Sequence, residues 1–117
     1  MHTIRLRDPW DSELTPQGWQ FSRRFQKPTG LNPGDHVFLE IEQIAHGGIV
    51  RLNGSELGPL VPGAINRWEI TAQIHARNLI MLELAYAEEL LPEARKVPGD
   101  AVGEVRLEIE ESVKCEV

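Results

Sequence analysis

The chain of 117 residues has a single cysteine, Cys115, so it can form no internal disulfide and no zinc site built on several thiolates. Aromatic residues are scarce at 6%, with one tyrosine and three tryptophans, so each one has to be placed individually. Positive charge is in the minority. Twelve Lys and Arg against eighteen Asp and Glu leave a net charge of −6. A general grip on nucleic acid or on an anionic membrane rests on excess Lys and Arg, so neither partner is expected. Apolar runs are only a few residues long, and none reads as a helix that spans a bilayer. The N-terminal residues Met1-His2-Thr3-Ile4-Arg5 lack the apolar stretch of a secretion signal. With the lone thiol, this predicts a reducing, cytoplasmic setting.

Several kinds of chemistry are missing as well. His2, His36, His46 and His75 are scattered, without the His-x-x-x-His or Glu-x-x-His spacing of a metal site. No glycine-rich phosphate loop is present, and His46-Gly47-Gly48 reads as a bend or bulge. Ser12, Ser22 and Ser55 have no readable triad context, and Cys115 reads as an idle thiol. Neither a cofactor nor a metal is expected.

What the chain does have is punctuation. Ten Gly and eight Pro separate short alternating runs, the pattern of an antiparallel all-β domain. The spacing predicts strands over 3–7, 19–25, 36–44, 48–52, 55–57, 67–71, 79–84 and 103–111. Trp19, Phe21, Arg23 and Phe25 share one side of their run; Val37, Leu39 and Ile41 alternate with Phe38, Glu40 and Glu42. Val105, Leu107 and Ile109 likewise alternate with Glu104, Arg106, Glu108 and Glu110. Period-two alternation means one dry and one wet face, and two such sheets stack into a sandwich. Asn53-Gly54 predicts a two-residue hairpin turn, because both residues accept positive φ. Residues 85–96 form the best helical candidate, limited by Pro92 to a turn or two. Residues 1–30 carry five basic and three acidic groups, and the remainder seven and fifteen. That asymmetry suits an N-terminal strand packed on an acidic body.

Trp19-Gln-Phe-Ser-Arg-Arg-Phe25, Leu31-Asn-Pro-Gly-Asp-His-Val-Phe-Leu-Glu-Ile-Glu42 and Gly48-Ile-Val-Arg-Leu-Asn-Gly-Ser-Glu-Leu-Gly58 stand in series. Trp68-Glu-Ile-Thr71, Asn78-Leu-Ile-Met-Leu-Glu-Leu84 and Gly103-Glu-Val-Arg-Leu107 follow in order. The series resembles the sugar-binding domain of glycoside hydrolase family 2, the β-galactosidase and β-glucuronidase group. The resemblance implies a single domain over 1–117, an antiparallel jelly-roll β-sandwich of the galactose-binding type. The chain departs from the family where function would lie. It has no room for the catalytic barrel, it carries Glu69 as the acidic residue before Ile-Thr, and Pro59–Arg67 lacks the usual His and aromatic. The resemblance implies a fold, and a sugar site does not travel with it automatically. Sandwiches of this type commonly hold calcium, but the loops near Asp8, Asp11 and Glu13, or near Asp100, lack dense Asp and Asn clusters.

A sugar site needs an aromatic platform and a polar rim. Trp10, placed after Asp8-Pro9, is the platform candidate, and His46, Asn66, Arg67 and Tyr86 are candidates for the rim. Equally, Trp10 would cap the open end of the sandwich, while Trp19 and Trp68 fall on core faces. Glu40 and Glu42, about 7 Å apart on one strand face, have a spacing that would suit a small hydrolase. The plainer reading pairs them with Arg106 or Arg51 across the sheet. Leu60, Val61 and Ile65 read as an exposed apolar loop, and Leu79 and Met81 as an apolar outer sheet face. Both point to a protein partner or a homodimer. Two functions are therefore expected in competition. One is a non-catalytic, carbohydrate-binding module, and the other is a protein-interaction or assembly domain that has lost sugar binding.

Overall fold

The β-rich runs pair as their periodicity predicts. The structure, a computed structural model, describes residues 2–7, 10–16, 18–44, 47–85 and 103–111. Among these, nine strands form: β1 (His2–Arg5), β2 (Asp11–Thr15), β3 (Gly18–Gln26), β4 (His36–Glu42), β5 (Gly48–Leu52), β6 (Ser55–Leu60), β7 (Asn66–Glu69), β8 (Arg77–Ala85) and β9 (Glu104–Glu110). They make a four-stranded sheet in the order β1-β9-β4-β7 and a five-stranded sheet in the order β2-β3-β8-β5-β6. The described pairings are antiparallel.

The core lies between the sheets. From the four-stranded layer, Val37, Leu39 and Ile41 of β4 and Val105, Leu107 and Ile109 of β9 point inward. They meet Ile80, Leu82 and Leu84 of β8, Val50 and Leu52 of β5, and Phe21 and Phe25 of β3. Each buried aliphatic side chain contributes about 1.5–3 kcal/mol relative to exposure. Trp19 and Trp68 pack against this cluster, on the core faces expected of them. Arg23, on the inner side of β3, keeps its guanidinium at the rim by donating to the Arg7 and Arg24 carbonyls.

Asn53 and Gly54 adopt φ of 52° and 86° and turn β5 into β6, pairing Leu52 with Ser55. The turn is anchored to β8, because Asn53 Oδ1 accepts from the Leu79 amide at 2.8 Å and its own amide donates to the Leu79 carbonyl.

Some expectations are corrected. Residues 11–15, read as loop, form β2, which a tight hairpin holds against β3: the Thr15 hydroxyl accepts from the Gly18 amide and donates to its carbonyl. The return strand β6 extends to Leu60, which is buried, so only Val61 and Ile65 of the expected apolar loop are exposed. The helical candidate lies almost wholly outside the described residues, and its first residue, Ala85, ends β8.

Trp68 of β7 reaches across the interlayer onto β6, where a Cβ added at Gly58 would lie 2.8 Å from the indole Nε1. Gly58→Ala is therefore expected to cost about 1–3 kcal/mol by overpacking, read from urea unfolding followed by tryptophan fluorescence. An unchanged unfolding midpoint would show that the indole has room to retreat.

Candidate functional site

Of the residues nominated for a sugar site, the three that the structure describes, Trp10, Asn66 and Arg67, do not converge. The Trp10 indole donates to the Leu6 carbonyl at 3.2 Å and packs against the core cluster, the capping position. Asn66 and Arg67 are neighbours on β7 and point to opposite faces. Asn66 is buried, and its amide holds the 61–64 loop together: Oδ1 accepts from the Val61 amide at 2.9 Å, and Nδ2 donates to the carbonyls of Ile41, Val61 and Ala64. Those bonds occupy the groups that a ligand would need. Arg67 faces outward, stacked 3.6 Å above the Phe38 ring and bonded to Glu40 and Glu110. His46 and Tyr86 lie outside the described residues.

Arg67 belongs to a charged lattice over the outer face of the four-stranded sheet. At its centre is Arg106, on β9 opposite Glu40. Its guanidinium lies 2.7 Å from Glu40, 2.8 Å from Glu42, 3.3 Å from Glu108 and 3.8 Å from Glu104. Glu40 is shared with Arg67 at 2.8 Å. Hydrogen bonding to Glu42 above all, and then to Glu40, raises the Arg106 pKa further above the ordinary arginine value, against the opposing pull of burial. Glu40 and Glu42 are thus cross-strand partners of an arginine, as the plainer sequence reading has it. Among the described residues no group of three His, Cys, Asp or Glu could hold a metal ion.

At the edge of this lattice His36 Nδ1 lies 2.6 Å from Glu69 Oε2. The hydrogen bond to Glu69, then its charge, raises the His36 pKa above its usual value of about 6.5. The bond from His36, then one from Thr71, lowers that of Glu69. The His36 contribution to stability is complete below its ordinary pKa and is lost as pH rises through the raised one. The Glu69 contribution is present above the usual carboxylate range and is lost as pH falls through the depressed one. Both operate in the interval between those two shifted values.

The outer face of the five-stranded sheet offers a concave surface. Near the β2–β3 hairpin, Thr15, Gly18, Gln20, Gly48, Ile49 and Glu83 line an open groove of about 380 Å³, with Trp19 and Leu84 at its margin. Gly48 brings β5 close to β8, since a Cβ there would lie 2.0 Å from the Glu83 carbonyl oxygen. Glu83 is steadied by Arg51, whose Nε lies 3.0 Å from Oε2. Gln20 Nε2 points to the Met81 sulfur at 2.6 Å. Among the described residues, Glu83 Oε1 and Gln20 Oε1 accept no hydrogen bond, so two acceptors border the groove beside the apolar Ile49. Sequence reasoning missed this site because it exists only once β3, β8 and β5 are in register. The signal at hand was Leu79-Ile-Met-Leu-Glu-Leu84, whose outward set mixes apolar residues with Glu83.

Known structures share this architecture. No family model matches the chain, and no curated protein matches it. Among solved structures, it superposes on an FMN-binding β-glucuronidase from Facaelibacterium prausnitzii L2-6 with a TM-score of 0.64 and 19% identity, covering 92% of this chain and 22% of that one. For the Bifidobacterium dentium β-glucuronidase complexed with coumarin-3-O-glucuronide the values are 0.62, 18%, 72% and 20%. For a rhamnosidase from Novosphingobium sp. PP1Y they are 0.56, 20%, 79% and 11%. The likeness is one of fold. The chain is an antiparallel two-sheet β-sandwich, and it spans at most 22% of the length of these enzymes.

Two outcomes follow. In Glu69→Gln the His36 titration, followed by NMR, moves down towards its usual value, and an unmoved titration would contradict the pairing. Asn66→Ala strands the Val61 amide and three carbonyls, and is expected to lower stability by about 1–3 kcal/mol in chemical denaturation. A neutral result would show that the loop is held by other contacts.

Proposed function

We propose that this domain is a non-catalytic carbohydrate-binding module that holds its ligand on the outer face of the five-stranded sheet. One observation carries the reading: a groove on the sheet pairs side-chain acceptors that are uncommitted among the described residues with apolar surface, the combination that suits a ring with hydroxyls around it and hydrocarbon on its faces. Gln20 and Glu83 accept from sugar hydroxyls, and Ile49 packs beneath the ring. The fold supports this reading, since the superposed proteins are glycosidases by name and this chain matches a part of each.

A second reading has its own observation. Val61 and Ile65 are 50% and 63% exposed on the loop that Asn66 holds rigid, and an exposed apolar pair on a fixed loop suits a protein contact. In that case the domain assembles with another protein, or with itself.

Calorimetric titration with a panel of neutral and acidic oligosaccharides tests the first reading. Binding is expected, weakened roughly tenfold by Gln20→Ala or Glu83→Gln, which corresponds to about 1.4 kcal/mol. Binding unaffected by both changes would place the ligand elsewhere. No binding at all, together with an assembly that Val61→Ser and Ile65→Ser dissolve in light scattering, would favour the second.

A further inference from the structure

Of the eight arginines among the described residues, four pair with carboxylates. Arg5 has Glu104 at 3.3 Å, Arg51 has Glu83 at 3.0 Å, Arg67 has Glu110 at 2.6 Å and Arg106 has Glu40 at 2.7 Å. Arg7, Arg23, Arg24 and Arg77 pair with no carboxylate among the described residues, and of these Arg24 and Arg77 share one outer face. Both are exposed, and the side chain of neither makes an ion pair or hydrogen bond with any described residue. In a chain with six more carboxylates than basic groups, two such arginines at one cleft are a local exception.

The fold brings them together. Arg24 of β3 lies opposite Leu79, and Gln26 lies opposite Arg77 of β8. The two arginines are therefore diagonal neighbours on the outer face, with Cα atoms about 7–8 Å apart. They flank a cleft of about 450 Å³, floored by the strands at Phe25 and Asn78 and walled by Gln26. The β2 strand pairs with β3 only as far as Ser22, so the strand ladder leaves this end of β3 uncovered. Asp11 lies opposite Ser22, two residues along β3 from Arg24, and makes no ion pair with it. Two like charges side by side repel, and a guanidinium fork is matched by a carboxylate or sulfate, which can bridge the two.

We infer that Arg24 and Arg77 form an anionic subsite, and that the ligand of this face is an oligosaccharide bearing carboxylate or sulfate groups. This rests on the carbohydrate reading above and deepens it. Gln20 and Arg24 are four residues apart on one strand, about 13 Å, and both face outward. An oligosaccharide of a few residues lying along β3 and β8 reaches from the Gln20–Glu83 groove to the arginine cleft. At the far end Arg51 is already paired with Glu83, so the uncompensated positive charge lies at the arginine cleft, which fixes the direction of a ligand charged at one end.

The test compares matched ligands by calorimetry at low and moderate salt. Oligogalacturonate and oligoglucuronate are each titrated against their methyl esters, alongside a sulfated, uronate-free carrageenan oligosaccharide. The free acid, the sulfate ester or both are expected to bind at least tenfold more tightly than the uncharged forms, and the arm that binds tells which anion is read. The preference is expected to shrink as salt rises, and Arg24→Gln/Arg77→Gln removes it while leaving the thermal midpoint within a degree or two. Equal affinity for acid and ester with no binding of the sulfate overturns the anionic subsite and leaves the carbohydrate reading standing. So does a preference that survives the double change. Absence of binding by every saccharide overturns both.

Discussion

The molecule depends on aliphatic side chains of β4 and β9 meeting those of β8, β5 and β3 across a dry gap. The inner positions of β4, β5 and β8 are buried almost completely, and their neighbours one residue away face outward. Because the side-chain period of a strand is two, a slip of one residue would exchange every inner group for an outer one. The core therefore fixes register, and register decides which polar residues share an outer face. The charged lattice on one sheet and the groove and cleft on the other are consequences of that core.

The two outer faces have opposite characters for the same reason. On the four-stranded sheet, alternation places Glu40, Glu42, Glu104 and Glu108 around Arg106, and the lattice satisfies itself. Partly exposed pairs of this kind add little stability individually, though Arg106 ties β9 to β4 and Arg67 ties β7 to both. On the five-stranded sheet, alternation leaves Gln20 and Glu83 with spare acceptors and Arg24 and Arg77 without carboxylates among the described residues. A surface that has not spent its hydrogen bonds internally is the one open to a ligand.

Much of the fold was legible in the chain, and the reasons lie in particular residues. Val37, Leu39 and Ile41 alternate cleanly, and Asn53-Gly54 accepts positive φ, so strand, face and turn all appear locally. β2 was not legible because Asp11-Ser-Glu-Leu-Thr15 has little strand propensity, and its pairing is imposed by the neighbouring β3 through the Thr15–Gly18 hairpin. The candidate site was hardly legible. Asn66 was nominated as a polar rim residue, yet a buried side-chain amide serves loop carbonyls as readily as a ligand, and only the path of residues 61–64 decides between them. Arg24 and Arg77 are 53 positions apart and become neighbours only through the β3–β8 ladder.

The most direct measurement is a paired substitution on β8, Leu82→Asp against Met81→Asp, with stability read by chemical denaturation. Leu82 is fully buried against the opposite sheet, and Met81 stands on the outer face beside Gln20. A carboxylate placed at 82 would be buried without a partner, a cost of several kcal/mol, and is predicted to unfold the domain. The same group at 81 is predicted to leave it folded, with a change within about 1 kcal/mol. Equal tolerance at both positions, or unfolding by Met81→Asp alone, would contradict the register on which both outer faces depend.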